Sequence, residues 1–154
     1  HSTSRRQRQM CIRDREYFYH VKHTKINAAE RQVKEVGEFE VEFTCEGYRY
    51  RTDGKAEYTP EEVFYNPYDR SRPVYLITGE GECILQVNGS QMKANVGQNL
   101  VIDTDRLMAY RKDGKLMNTS VYGDYAELHL LPGENTVYIS RGFDLKVIPN
   151  WRCL

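Results

Sequence analysis

The chain has 154 residues, enough for one domain with a single hydrophobic core, because a compact domain of this length removes roughly 70% of the unfolded chain's surface from water. Its 22 basic and 22 acidic side chains cancel, so the overall charge gives no reason to expect nucleic acid or an anionic membrane as a partner. No apolar run approaches the roughly 20 residues of a membrane span, and the four scattered cysteines form no CxxC pair, which argues against a zinc site or a disulfide framework.

Residues 1–15 differ in composition from the rest of the chain. They carry five arginines against one aspartate, a net charge of +4, which leaves the remaining 139 residues at −4. The segment has almost no apolar content and no helical or strand period, so we expect it to be disordered. It also resembles the translated adapter sequence found at the ends of proteins predicted from metagenomic assemblies, which predicts a non-native artefact. A basic arm that binds nucleic acid is the alternative.

Strand patterns begin at Glu16. Alternation from Tyr17 to Lys22 predicts a strand, and apolar residues at helical spacing predict a short helix over 26–36. The segment EFEVEFTC, residues 38–45, predicts a strand with one buried apolar face and one wet face of glutamates. Asp53-Gly54 and Pro60 lie in a polar stretch, so residues 46–61 are predicted to be a linker or crossover between two structural units.

The rest of the chain alternates short apolar segments with turn residues. Asn88-Gly89 is the strongest hairpin signal, because a type I′ turn needs positive φ at both central residues. Strands every 8–12 residues with such turns predict an antiparallel β-sandwich or barrel, and we expect no helix here. The predicted strands are VYLITG (74–79), ECILQV (82–87), QMKANV (91–96), NLVIDT (99–104), LMAYRK (107–112), KLMNTSV (115–121), AELHLL (126–131), TVYIS (136–140) and DLKVIPNW (144–151).

The histidines do not form a pattern that predicts a metal site or a catalytic base. His20 and His23 lie three residues apart in a predicted strand, where they would point to opposite faces. His129 alternates outward from Leu128 and Leu130, which predicts a solvent-facing strand residue. If His129 faces solvent, a serine or cysteine nucleophile has no histidine base to take its proton.

Other catalytic and cofactor signals are also weak. GxGxxG and the phosphate-binding loop are absent from the sequence, so no nucleotide cofactor is predicted. We expect a protein that is not an enzyme and that holds no cofactor or metal. The acidic residues that glycoside hydrolysis would need lie at predicted turns and strand edges, where charge is common: Glu80, Glu82, Asp103, Asp105 and Glu134.

Aromatic residues are the compositional excess, with 12 tyrosines and Trp151. Exposed aromatic rings on a sandwich stack on sugars in carbohydrate-binding domains, whereas tyrosine is also common in strands and interfaces. The candidate contact residues for a glycan or a protein partner lie beside predicted turns: Tyr65, Tyr68, Tyr122 and Tyr125.

Several motifs follow one another in an informative order. EVFYNPYDRSRPVYLITGEG (62–81) is followed by ILQVNG, NLVIDTD, AYRKDG, LLPGENTV and VIPNWR. In this order and at these spacings they resemble the C-terminal half of siphophage distal tail proteins. Upstream, EVGEFEVEFTCEGYRY (35–50) resembles the last strand of that family's N-terminal ring-forming domain, with Cys45-Glu46-Gly47-Tyr48 where the family usually has CxPY. The similarity covers about residues 16–154.

The resemblance implies an all-β fold, an antiparallel sandwich of galectin-like or jelly-roll type with a small strand-helix-strand remnant before it. The expected organisation is an artefact over 1–15, a remnant of the ring domain over 16–57 and the C-terminal sandwich over 58–154. Most of the ring domain is missing ahead of Glu16, so a homohexamer is implied for the full-length protein rather than for this chain. The FEVEFTC strand, without its ring-domain partners, should expose apolar side chains.

The resemblance also implies a function. Distal tail proteins are virion components of the tail tip or baseplate of a siphovirus or prophage, made in the bacterial host cytoplasm. They contact the tail-tube protein on one side and the tail-associated lysin or hub on the other, and their outer domain carries a receptor-binding protein or contacts host glycans. We therefore expect a structural tail protein, with a carbohydrate-binding host-adhesion module as the alternative.

Overall fold

The computed structural model describes residues 8–11, 16–28 and 39–154, with side chains for 16–25 and 41–154. This part of the chain is built from antiparallel strands joined by turns and three short 3₁₀ segments, which confirms the predicted all-β class and sandwich. The strands are β1 (Arg8–Cys11), β2 (Tyr17–Ala28), β3 (Phe39–Arg51), β4 (Val63–Asn66), β5 (Val74–Val87), β6 (Ser90–Asp103), β7 (Met108–Tyr110), β8 (Val121–Tyr122), β9 (Gly133–Ile139), β10 (Asp144–Ile148) and β11 (Arg152–Cys153).

The strands form two antiparallel sheets. The smaller sheet has the order β1-β2-β3-β11, and the larger has the order β4-β9-β5-β6-β7, with β10 also paired to β5 and β8 also paired to β6. Residues 152–153 pair with 49–50, so the segments predicted as separate units share the smaller sheet. Among the described residues, no helix has the length and hydropathy of a membrane span.

The long β5–β6 hairpin supplies strands to both layers of the sandwich. Its strands pair along their whole length, but β9 and β8 join only the half near the Asn88-Gly89 turn, whereas β10 and β7 join only the other half. Gly79 and Gly81 lie between the two halves with φ of 152° and 96°, conformations that favour glycine and let the strand bend. We call β4, β9, β8 and the hairpin half near the turn layer 1, and β10, β7 and the other half layer 2.

One hydrophobic core lies between the two layers. Inward-facing residues of both layers belong to a single buried cluster, and alternate residues of each strand face out. Tyr75 is fully buried, and its hydroxyl donates a hydrogen bond to the Leu128 carbonyl over 2.6 Å. The largest fully buried side chains are Tyr75, Ile77, Leu85, Met92, Leu100, Ile102, Leu128 and Leu130.

Three predictions about the N-terminal third are corrected. Residues 8–11 form β1, so the predicted disorder of 1–15 is wrong there. Residues 26–28 continue β2, so the predicted helix over 26–36 is wrong at its start, and the rest of it lies outside the described residues. The predicted linker 46–61 is wrong over its first part, because 46–51 belong to β3 and Thr52–Lys55 form a 3₁₀ segment.

Two predicted strands in the second half each overlap a short 3₁₀ segment of three or four residues, so these strand predictions are wrong there. KLMNTSV contains a 3₁₀ segment at Asn118–Ser120, and only its last residue enters β8. AELHLL (126–131) overlaps one at Tyr125–Leu128, which begins where the Asp124 carboxylate accepts a hydrogen bond from the Ala126 amide.

The apolar stripe of β3 is uncovered in this chain. Val41 and Phe43 are 37% and 45% exposed, so the predicted burial of this stripe is wrong at these two positions, and the expected exposure of apolar side chains on this strand is found there.

Candidate binding surface

The outer face of layer 1 carries the most exposed aromatic side chains of the sandwich. Strand alternation sends one set of side chains into the core and leaves the other in solvent, and β4 shows this clearly, with Phe64 and Asn66 buried and Val63 and Tyr65 exposed. We call this surface the tyrosine face and define it by Val63, Tyr65, Ile84, Gln86, Gln91, Lys93, Tyr122, Glu134, Thr136 and Tyr138.

Strand register fixes the spacing of the three exposed tyrosines. Tyr65 on β4 lies opposite Glu134 on β9, Tyr138 on β9 lies opposite Gln86 on β5, and Tyr122 on β8 lies opposite Lys93 on β6. Tyr138 and Tyr122 are therefore three strands apart, roughly 14 Å across the sheet at a strand spacing of about 4.8 Å. Their side chains are exposed by 61% (Tyr65), 58% (Tyr138) and 69% (Tyr122).

A concavity of about 370 Å³ lies beside Tyr122, between β5, β6 and β8. Its lining joins the phenol ring to an apolar side chain, Ile84, and to hydrogen-bonding groups of Glu82, Lys93 and Asn95. Such a mixture can stack on a flat ligand and hydrogen-bond to its edge. Within the described residues, neither Glu82 nor Lys93 has an ion-pair partner within 4 Å, so both charged groups are available to a ligand.

The structure separates the four predicted contact tyrosines into two pairs. Tyr65 and Tyr122 lie on the tyrosine face, whereas Tyr68 and Tyr125 are half-buried and pack against the core. The Tyr68 ring centroid lies 6.1 Å from that of Trp151, and the Arg51 guanidinium lies 5.2 Å from the Tyr68 ring. Tyr68 and Tyr125 therefore expose less of their surface than Tyr65 and Tyr122 do.

Tyr138 was missed by the sequence reasoning, although a signal for it was present. In TVYIS, Val137 faces the core, so alternation places Tyr138 outward, next to Thr136 and in line with the rest of the face. Tyr138 was overlooked because it lies within a strand and not beside a turn.

His129 is a half-buried residue outside any strand, so the predicted solvent-facing strand position is wrong. Arg70 Nε donates a hydrogen bond to His129 Nδ1 over 3.1 Å. Burial, together with the positive charges of Arg70, Arg72 and Arg152, lowers the pKa of His129 to about 4. A neutral imidazole held by an arginine is poorly placed to accept a proton from a nucleophile.

His20 is buried between aromatic rings. Its ring stacks on Tyr50 with centroids 3.9 Å apart, and its Nδ1 lies 3.6 Å from Glu46 Oε2, which also accepts a hydrogen bond from the Tyr50 hydroxyl over 2.8 Å. Burial lowers the pKa of His20. His23 is exposed and lies apart from this cluster. In the part of the chain that the structure describes, no group of three or more His, Cys, Asp or Glu side chains could hold a metal ion.

Comparison with known proteins returned no relative. No family model, curated protein or solved structure matches the chain. The function is therefore inferred from the motifs of the sequence and from the tyrosine face.

Proposed function

We propose that this protein is a structural component of a siphophage tail tip or baseplate, of the distal tail protein type, and that it works by binding neighbouring tail proteins. The observation that carries the proposal is the tyrosine face, on which Tyr65, Tyr138 and Tyr122 stand exposed on a rigid sheet. The resemblance in motif order and the β-sandwich fold agree with this role. In this proposal the protein has no catalytic function, and its site of action is the virion.

The tyrosine face has the composition of a protein interface. Tyrosine is enriched in interface centres, where charged residues are depleted. Val63 lies beside the exposed tyrosines with 48% of its surface in solvent, and the strands beneath are fixed by the core. A rigid aromatic surface loses little conformational entropy on binding, so it suits a permanent assembly.

The test is binding of the purified protein to tail-tube, hub and receptor-binding proteins encoded beside its gene, measured by biolayer interferometry. Tyr65→Ala with Tyr138→Ala should weaken one of these complexes by at least about tenfold, the range expected of aromatic anchors. Leu116→Ala is the matched control, because Leu116 is also exposed, by 63%, but lies outside the tyrosine face. Absence of binding to every neighbour, or binding that the double variant leaves unchanged, would contradict the proposal.

A carbohydrate-binding host-adhesion module is the second candidate, favoured by the concavity beside Tyr122. A sugar ring could stack on Tyr122 while its hydroxyls bond to Glu82, Lys93 and Asn95. A glycan array separates the two candidates. Glycan binding that is lost in Tyr122→Ala and kept in Tyr122→Phe, with no tail-protein complex, would favour adhesion. A protein that binds no glycan but forms a complex sensitive to Tyr65 and Tyr138 would favour the structural role.

A further inference from the structure

The outer face of layer 2 holds a second concavity, of about 310 Å³, that neither proposed function uses. Its floor is apolar and is formed by Val74 and Leu76 of β5, Val101 of β6 and Ile148 of β10. Tyr110 of β7 borders it beside Val101. Charged side chains line the remainder, so the cavity joins an apolar surface to ionic groups at one end.

Asp103 is the most buried of these charged groups, at 5% exposure. Its Oδ1 accepts hydrogen bonds from the backbone amides of Asp105 and Arg106, both over 3.0 Å. Within the described residues, no ammonium or guanidinium lies within 4 Å of it. Burial raises the pKa of Asp103 because it removes the carboxylate from water. The nearby Asp105 charge also raises this pKa, whereas the two backbone amides and the Arg106 charge lower it.

Two cations also line the cavity. Lys55 Nζ donates to Asn150 Oδ1 over 3.0 Å, which uses one of its three protons. Arg106 is exposed at the turn that follows β6. The neighbouring Asp105 is already matched, with its Oδ1 3.7 Å from Arg72 Nη1. The cavity therefore offers a buried carboxylate with no cation within 4 Å among the described residues, an ammonium with protons to donate, and an apolar floor.

We propose that this cavity binds a small zwitterion with an apolar side chain, of the class of the free apolar α-amino acids. The ligand's ammonium would pair with Asp103, its carboxylate with Lys55, and its side chain would cover Val74, Leu76 and Val101. The volume lies at the lower end of small-molecule sites, which suits a ligand of this size. Each of the three ligand groups thus meets a group of complementary character.

The test uses isothermal titration of the full chain with L-leucine at neutral pH. We expect saturable binding, and binding at least about tenfold weaker for N-acetyl-leucine, leucine methyl ester and glycine, each of which lacks one recognised group. No saturation by about 10 mM leucine, or equal binding of the acetylated ligand, would overturn the proposal.

Asp103→Asn removes the charge but keeps an oxygen that can accept the two backbone amides, so we expect this variant to fold and to bind leucine at least about tenfold more weakly. Glu61→Gln is the control and should bind as the unchanged protein does, because Glu61 is exposed and lines neither this concavity nor the one beside Tyr122. Leucine binding that survives Asp103→Asn would overturn the site assignment. The outcome is independent of tail-protein binding, because Asp103 lies in the other layer.

Discussion

His129 lies half-buried between the last 3₁₀ segment and β9, where Arg70 Nε donates to its Nδ1. Its pKa falls from the ordinary 6.5 to about 4 in the folded protein. Between these pH values the unfolded chain binds a proton that the folded chain does not. The stability that neutral His129 contributes is therefore complete above about pH 6.5, declines as the pH falls, and is lost by about pH 4.

His129→Asn should remove this pH dependence while keeping an acceptor for Arg70. We expect the stability of the unchanged protein relative to the variant to fall by up to about 3 kcal/mol between pH 7.5 and pH 4, since one pKa unit corresponds to about 1.4 kcal/mol. Urea unfolding of both proteins at a series of pH values measures this stability difference. The contributions of titratable groups that both proteins share cancel in the difference. A stability difference that does not change with pH would contradict the prediction.

At the residue scale, alternation predicts which side chains face solvent but not which contacts reach them from elsewhere. Tyr65 and Tyr122 lie outward, and the same rule would have found Tyr138. Tyr68 contacts Trp151 and Arg51, both distant in sequence, so no local pattern could have predicted that it is half-buried. The environment of Asp103 depends likewise on β10 and on the 3₁₀ segment at Thr52–Lys55.

The β5–β6 hairpin is the element on which both layers depend, and its bend leaves no space beside Gly79. A Cβ atom built at Gly79 would lie 2.4 Å from Cδ1 of Phe143, and the φ of 152° is unfavourable for other residues. The bend and the Phe143 ring therefore both require glycine at this position.

Gly79→Ala should destabilise the protein by about 1–3 kcal/mol, from backbone strain and displacement of Phe143. Gly47→Ala is the matched control, because Gly47 is also a strand glycine but has no atom within 4 Å of a built Cβ and no positive φ. We expect its effect to stay within about 0.5 kcal/mol. Equal denaturation midpoints for the two variants would show that the bend tolerates a side chain.

At the element scale, local signals identified the hairpin but not the 3₁₀ segments. Asn88-Gly89, flanked by alternating residues, specifies the β5–β6 turn, and Asn88 has the φ of 51° that such a turn needs. KLMNTSV and AELHLL are short segments of mixed apolar and polar residues, too short for periodicity to distinguish a strand from a helical turn. Their conformations depend on the core that Leu128 and Val121 enter.

At the scale of the whole molecule, Trp151 connects the smaller sheet to the sandwich. Its ring stacks on Phe64 with centroids 5.6 Å apart, and its carbonyl accepts a hydrogen bond from the Arg51 amide over 2.9 Å. Gly54 lies against the Trp151 backbone, so that a Cβ atom built at Gly54 would be 2.4 Å from the Trp151 backbone nitrogen. We infer that the two sheets unfold together because this residue contacts both.

Trp151→Ala should destabilise the protein by about 3–5 kcal/mol, the usual effect of deleting a buried aromatic ring. The backbone amides of β3 should then exchange with solvent faster than those of β5, because the smaller sheet loses its support. Trp151→Phe, which keeps a ring against Phe64, should recover part of the stability. Hydrogen exchange followed by mass spectrometry measures both sheets at once, and uniform acceleration would contradict a joint at Trp151.

The pairing of β11 with β3 also affects how the protein is made. Arg49 of β3 pairs with Cys153 of β11, which is synthesised 104 residues later. This pairing therefore cannot form until the end of the chain has been made. At translation rates of about 5–20 residues per second, the delay on the ribosome is roughly 5–20 s. During that time the edge of β3 at Arg49 and Tyr50 is unpaired, so the nascent chain should be a substrate for chaperones that bind unpaired extended segments.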